Sequence, residues 1–204
     1  MKITREEINQ MQKRFRATFM NTLSGYKSVH LVGTRSASGI SNLAPFNSII
    51  HIGSNPPYIG MIARPQTEEH QTLKNIKDTG YYTLNHVSEE MLEQAHQCSA
   101  KYDAATSEFE ATRLTELSSA ISSAPYVEQS PLKMTLKLVE IMPIPLNGTS
   151  MVIGEVQEII IGDCKIQEDG YVHIDELNTV ASLGLDSYMQ VSPITRIPYA
   201  QVKE

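Results

Sequence analysis

Cysteine is scarce in this chain: Cys98 and Cys164 are its two thiols, far apart and with neither a CxxC partner nor a nearby His cluster. That spacing offers no zinc site, and reduced thiols are the expectation for a cytosolic protein. Any redox chemistry must therefore come from a bound cofactor. A basic excess is also lacking, because 17 Lys and Arg face 23 Asp and Glu for a formal net charge of -6. This disfavours a nucleic-acid partner, whose phosphates would need neutralising by Lys and Arg. No apolar run approaches the ~20 residues of a membrane span. The opening Met1-Lys2-Ile3-Thr4-Arg5-Glu6-Glu7 carries no apolar signal core, so the expected location is the cytoplasm, with no membrane partner. The Gly-x-Ser-x-Gly elbow and the Walker-type loop are missing too, which argues against an α/β-hydrolase and a P-loop enzyme. His30, His51, His86, His96 and His173 have no carboxylate or Cys at ligand spacing, and no metal is assigned to them.

What the chain does have is the composition of an ordinary globular domain, 41% hydrophobic and 20% charged over 204 residues. All-β barrels of this length form single units, so one domain over 1–204 is expected. Thr4 and Glu7 fit a capping box, and Ile8, Met11, Phe15 and Phe19 then recur at helical spacing towards Ser24-Gly25. From Val29 to Gly33 the chain reads as a strand, predicted to form a hairpin with the 42–51 segment across the turn Thr34 to Gly39. Pro56-Pro57 marks the entrance to a strand over Tyr58 to Ala63. A short helix is predicted over Thr67 to Lys77, a buried strand over Tyr81 to Val87, and a second helix from Ser88 to about Cys98. Lys133 to Ile141 and Ser150 to Gly162 read as paired antiparallel strands. Tyr171 to Ile174 reads as a sheet extension or edge, and Arg196 to Tyr199 as a docked tail. Strands in hairpin order, with no repeat, imply a mainly β antiparallel barrel with peripheral helices.

The segment Ser41-Asn42-Leu43-Ala44-Pro45-Phe46-Asn47-Ser48 alternates polar and apolar side chains, so one side can meet a planar heterocycle while the other packs. Ala63 closes the next strand, and Arg64 stands at its end, where a guanidinium suits two phosphate oxygens in one plane. Thr67, His70 and Thr72 add potential donors in the loop that follows. Taken singly, Asn42, Asn47 and Ser48 also suit a plain hairpin edge, and Arg64 a surface position.

With Arg64-Pro65, Thr72, Asn75-Ile76 and Gly80-Tyr81-Tyr82-Thr83-Leu84-Asn85 added, the pattern resembles the flavin reductase-like proteins of the FMN-binding split-barrel superfamily, flavoredoxins included. Glu108-Phe109-Glu110, Ala124-Pro125-Tyr126-Val127-Glu128-Gln129-Ser130, Gly154-Glu155-Val156 and Ala181-Ser182-Leu183-Gly184 extend the likeness almost end to end. The resemblance implies a Greek-key-like FMN-binding split β-barrel and a homodimer with FMN at the subunit boundary. It further implies NAD(P)H or a small redox protein as electron donor, with free flavin, ferric iron or a protein as acceptor. On the same basis, residues 42–48 flank the ribityl chain and ring, and Arg64, Thr67 and Thr72 reach the phosphate; Leu183, Gly184 and Tyr188 are candidates for a cross-subunit wall against the flavin, with ordinary tail packing as the alternative. Two positions depart from the family pattern: His70-Gln71-Thr72 replaces Lys-Asp-Thr, and Thr112-Arg113-Leu114-Thr115 replaces Ala-Gly-Leu-Thr. A non-enzymatic electron carrier, and a barrel binding haem or another ligand, remain alternatives.

Overall fold

The computed structural model describes residues 1–65, 71–103 and 105–202. The Thr4–Glu7 capping box is present, with Thr4 N–H donating to Glu7 Oε2 at 2.6 Å. The single N-terminal helix expected from periodicity is two helices, α1 (Arg5–Gln10) and α2 (Lys13–Leu23). Met11 and Gln12 are extended between them, and Arg16 Nη1 donates to the Asn9 carbonyl at 3.0 Å. That contact satisfies an acceptor the broken helix leaves free.

The main sheet runs in the order β3-β2-β6-β9-β10-β5-β4. Its members are β2 (His30–Arg35), β3 (Ser41–Phe46), β4 (Ile49–Ser54), β5 (Pro57–Ala63), β6 (Tyr81–His86), β9 (Leu132–Ile144) and β10 (Thr149–Ile161), all antiparallel to their neighbours. The 42–51 segment is thus two strands on opposite edges, where one strand was expected. Asn47-Ser48 alone joins them. Laid flat at ~4.8 Å spacing, seven strands would hold their outer members about 29 Å apart. The link from Phe46 to Ile49 spans only about 10 Å when extended, so the sheet must curl into a barrel. Ile62 N–H donates to the Ser48 carbonyl at 3.0 Å, which carries the β4–β5 ladder up to the corner. β5 and β6 follow each other in sequence but are separated in the sheet by β10 and β9, which makes the order Greek-key-like.

Alternation along β2 and β3 feeds two cores. Val32, Met61, Ala63, Leu73, Ile76, Tyr82, Leu84, Leu136 and Val152 fill the barrel under α3 (Gln71–Thr79). Leu31, Leu43, Val87, Met91, Phe109, Val127 and Val180 form an outer layer. That layer is closed by α4 (Leu92–Gln97), α5 (Glu108–Thr112), the strand pair β7 (Glu116–Leu117) and β8 (Tyr126–Val127), and a small sheet of β1 (Lys27–Ser28), β11 (Val180–Leu183) and β12 (Ser187–Gln190).

Tyr171 to Ile174 does not extend the sheet: Val172 makes an isolated bridge to Ile166, and Ile174 opens a short 3-10 turn. The C-terminal segment is held chiefly through Arg196, which bonds Asp169 and Gln167 and lies 4.4 Å from the Tyr171 ring centroid. Its apolar residues Ile194, Ile197 and Tyr199 are exposed, contrary to a docked tail, because none of them is packed against the described residues.

Candidate functional site

The candidate site is the open edge of β3, and its chemistry follows from backbone alternation. Leu43 N–H points off the sheet and donates to Glu108 Oε2 at 2.8 Å. In an antiparallel strand, N–H and C=O of one residue face the same side. The carbonyls of Leu43 and Pro45 therefore face off the edge together, and Pro45 adds no N–H, as suits an edge position. The edge offers acceptors and almost no donors.

The donors lie at its two ends. Near the Ser48 end, β5 delivers Ala63, which is buried, and then Arg64, which is exposed and makes no side-chain hydrogen bond among the described residues. Near the Asn42 end, α3 begins at Gln71, and Thr72 Oγ1 accepts from Asn42 Nδ2 at 3.1 Å. Arg64 and Thr72 thus stand towards opposite ends of β3. Thr67 and His70 lie between them in the chain but outside the described residues.

The candidates along β3 have distinct surroundings. Asn42 is buried and also donates to Thr34 Oγ1 at 3.3 Å. Leu43 is fully buried in the outer core, so its side chain packs and only its backbone meets the edge. Ala44 and Pro45 are half-buried, and Phe46 packs against the barrel core. Asn47 Nδ2 donates to Ser182 Oγ at 3.2 Å and to the Gly184 carbonyl at 2.9 Å. Both amide hydrogens of Asn47 are thereby committed, while the Ser48 hydroxyl has no partner among the described residues.

The same contact fastens the β11–β12 hairpin to the β3–β4 corner of its own chain, bringing Leu183 to that corner. Tyr188 turns elsewhere within the chain: its ring packs on the outer core and its hydroxyl lies 2.7 Å from His96 Nδ1.

Glu108, Thr34 and Asn75 were not singled out as candidates. Glu108 sits 65 residues from the strand it caps, and nothing local signals that meeting. Burial raises its carboxyl pKa, while the Leu43 N–H partly offsets the shift. Thr34 was recoverable in principle, since the hairpin register sets it opposite Asn42. Two histidines read as isolated are partners instead, with His30 and His86 facing each other across β2 and β6. Arg113, where the family pattern has Gly, keeps the left-handed turn at φ 61.

The family model for the flavin reductase like domain matches residues 26–177. Among solved structures, a protein of Shewanella frigidimarina NCIMB 400, provisionally named a flavin reductase with split barrel domain, is 46% identical. The match covers 98% of this chain and 100% of that one, with a TM-score of 0.94. Nitrilotriacetate monooxygenase component B from Bacillus cereus is 19% identical over 97% of this chain and 98% of its own, with a TM-score of 0.84. Flavoredoxin of Desulfovibrio vulgaris (Miyazaki F) is 20% identical over 86% and 92%, with a TM-score of 0.73. The last two likenesses concern the fold; the family match and the 46% relative concern descent, and by them this chain belongs to the flavin reductase-like family of split-barrel proteins.

Proposed function

We propose that the chain is an FMN-binding oxidoreductase of the flavin reductase type, taking hydride from NADH or NADPH and passing electrons to free flavin, ferric iron or a protein acceptor. The observation that carries this reading is an acceptor-rich strand edge flanked by the start of α3 and by the Arg64 guanidinium, which has no side-chain partner among the described residues. A flavin mononucleotide needs such groups: hydrogen-bonding partners for a heterocycle rim, and cationic and N–H partners for a phosphate. The donor set therefore fits the group.

Bound flavin would supply the redox chemistry, accepting and returning hydride at N5. The chain's residues would position it. The first turn of α3 would hold the phosphate, with the Arg64 side chain extended along β3 towards it, and the backbone carbonyl of Leu43 or Pro45 would accept from the ring N3–H. With the Asn47 amide committed to Ser182 and Gly184, the Ser48 hydroxyl is the side-chain donor left for the charge of reduced flavin. Positioning of this kind does most of the catalysis in hydride transfer.

A homodimer accompanies the reading. The α2 helix buries no residue, and its Phe15, Met20 and Leu23 are exposed, as are Ile50 and Ile52 on the edge strand β4. A two-fold partner would cover both surfaces. The location proposed is the cytoplasm, where the two free thiols stay reduced.

Anaerobic stopped-flow with NADH and with NADPH tests the activity. Bleaching of bound flavin by either nicotinamide is the expected result. Flavin that ignores both, yet is reduced by a small redox protein, would overturn the reductase in favour of a carrier. A protein that refuses FMN would remove the flavin reading altogether. Sedimentation at micromolar concentration reads the dimer directly.

A further inference from the structure

Behind the Asn42 end of the β3 edge lies a buried cluster of amides and hydroxyls. Thr34 on β2, Asn42 on β3, and Thr72 and Asn75 on α3 are 0%, 9%, 8% and 1% exposed. Asn75 Nδ2 donates to Thr34 Oγ1 at 3.1 Å, and Asn42 Nδ2 donates to both Thr34 Oγ1 and Thr72 Oγ1. Three elements are thus joined through two amides and two hydroxyls. Asn75 Oδ1 has no partner, so the cluster is not fully satisfied. Apolar residues would fill this space more favourably if packing were its only role.

The direction of these bonds has a chemical consequence. An amide N–H can only donate, so Thr72 Oγ1 is the acceptor in its bond to Asn42. Among the described residues no group accepts its own proton, which leaves that proton for a third group. Thr72 stands in the first turn of a nine-residue helix, at the end where the dipole is positive. A hydroxyl pinned from behind at that place is a donor prepared for an anion.

We infer that Thr34 and Asn75 are positioning residues for phosphate recognition: with Asn42 they hold the Thr72 hydroxyl as a donor at the phosphate end of the flavin cradle. This rests on the FMN reading, and it shifts Asn42 from a ribityl contact to the central link of the network. Thr34 and Asn75 touch no ligand. They act through Asn42 and Thr72, by fixing the rotamer of the first and the seating of the helix that carries the second.

The test compares FMN with riboflavin, which differ by the phosphate alone. Flavin fluorescence titrations of the apoprotein are made for the unaltered chain and for Thr34→Val, Asn75→Leu and Thr34→Ser. The unaltered chain is expected to prefer FMN. Thr34→Val and Asn75→Leu should each lose about tenfold of that preference, the scale of one hydrogen bond to a charged group, with riboflavin affinity unchanged. Thr34→Ser, which keeps the acceptor, should retain the preference. Variants that keep the FMN-to-riboflavin ratio, or lose both ligands equally, overturn the inference and leave the flavin reading standing. An unaltered chain that binds neither ligand overturns both. The two main substitutions probe the link from different elements, so misfolding of one leaves the other to decide.

Discussion

His30 and His86 set their Nε2 atoms 3.0 Å apart inside the barrel, with ring planes at 66°. One nitrogen must donate and the other accept, and His30 Nδ1 is buried without a partner. An orphaned acceptor costs less than an orphaned N–H, so the arrangement assigns the proton to His30 Nε2 and makes His86 Nε2 the acceptor. Both rings are neutral in this arrangement. Burial, together with repulsion from His86, holds His30 well below its usual value, and burial pushes His86 down to about 4.

The sign of the pH effect follows from those depressed values. Below the ordinary 6.5 the unfolded chain takes up protons that the folded chain refuses. Stability from the pair is complete above 6.5 and is lost as pH falls towards about 4, where folded His86 also protonates. Replacing His86 by Gln should flatten urea-melt stability against pH in this window by about 1.4 kcal/mol per pH unit, one proton's worth. An unchanged slope would show that the pair is not buried neutral.

Arg113 holds φ 61 at the end of α5, a region that costs a side-chain-bearing residue about 1–2 kcal/mol. Arg113→Gly removes that strain but adds unfolded-chain entropy. The net expectation is a gain of about 0.5–1 kcal/mol and a melting temperature higher by about 1–4 °C. Calorimetry showing a lower melting temperature would mean the arginine contributes through contacts of its side chain.

Gly33 lies on β2 beneath the segment that carries Pro125. A Cβ there would collide with the Pro125 carbonyl and with Thr83 Oγ1, which themselves form a hydrogen bond at 2.5 Å. Gly33→Ala should destabilise by about 1–3 kcal/mol, the scale of overpacking. A denaturation midpoint equal to that of the unaltered chain would refute this close approach.

Arg64 has no side-chain partner among the described residues, so its removal should leave folding intact. Arg64→Met is expected to weaken FMN by about ten- to a hundredfold, as for a charge-assisted bond, while riboflavin is unaffected. Equal affinity for FMN in the variant would place the phosphate elsewhere.

Leu43 N–H relies on Glu108, and the carboxyl is partly buried. Glu108→Gln keeps an acceptor for that N–H and removes the buried charge. Its raised carboxyl pKa means that stability is lost as pH rises from the ordinary 4.5 through the folded value. The Gln variant should lack that step in a pH series of thermal melts; a step of the same size in both proteins would assign it to another group.

Element types were legible where periodicity is strong. The β9–β10 pair, β6 and the Thr4 cap all follow from local pattern, because cross-strand alternation and capping act over a few residues. The misreadings fall where the decisive contact is distant. The 42–51 segment continues in strand-like residues through Asn47-Ser48, so only the barrel's closure divides it between two edges. His30 and His86 are 56 positions apart, and their pairing needs the β2–β6 register.

By itself the sequence determined the family, the alternation that splits β3 between two cores, and the choice of a proline where an edge strand needs no donor. Tertiary structure decided which polar groups are available to a ligand. Asn42, Asn47 and Ser48 are alike in composition and adjacent in the chain, yet the first is tied to Thr34 and Thr72, the second to Ser182 and Gly184, and the third has no side-chain partner among the described residues. Hydrogen-bond capacity is a local property of each residue, whereas its commitment depends on neighbours supplied by closure of the barrel.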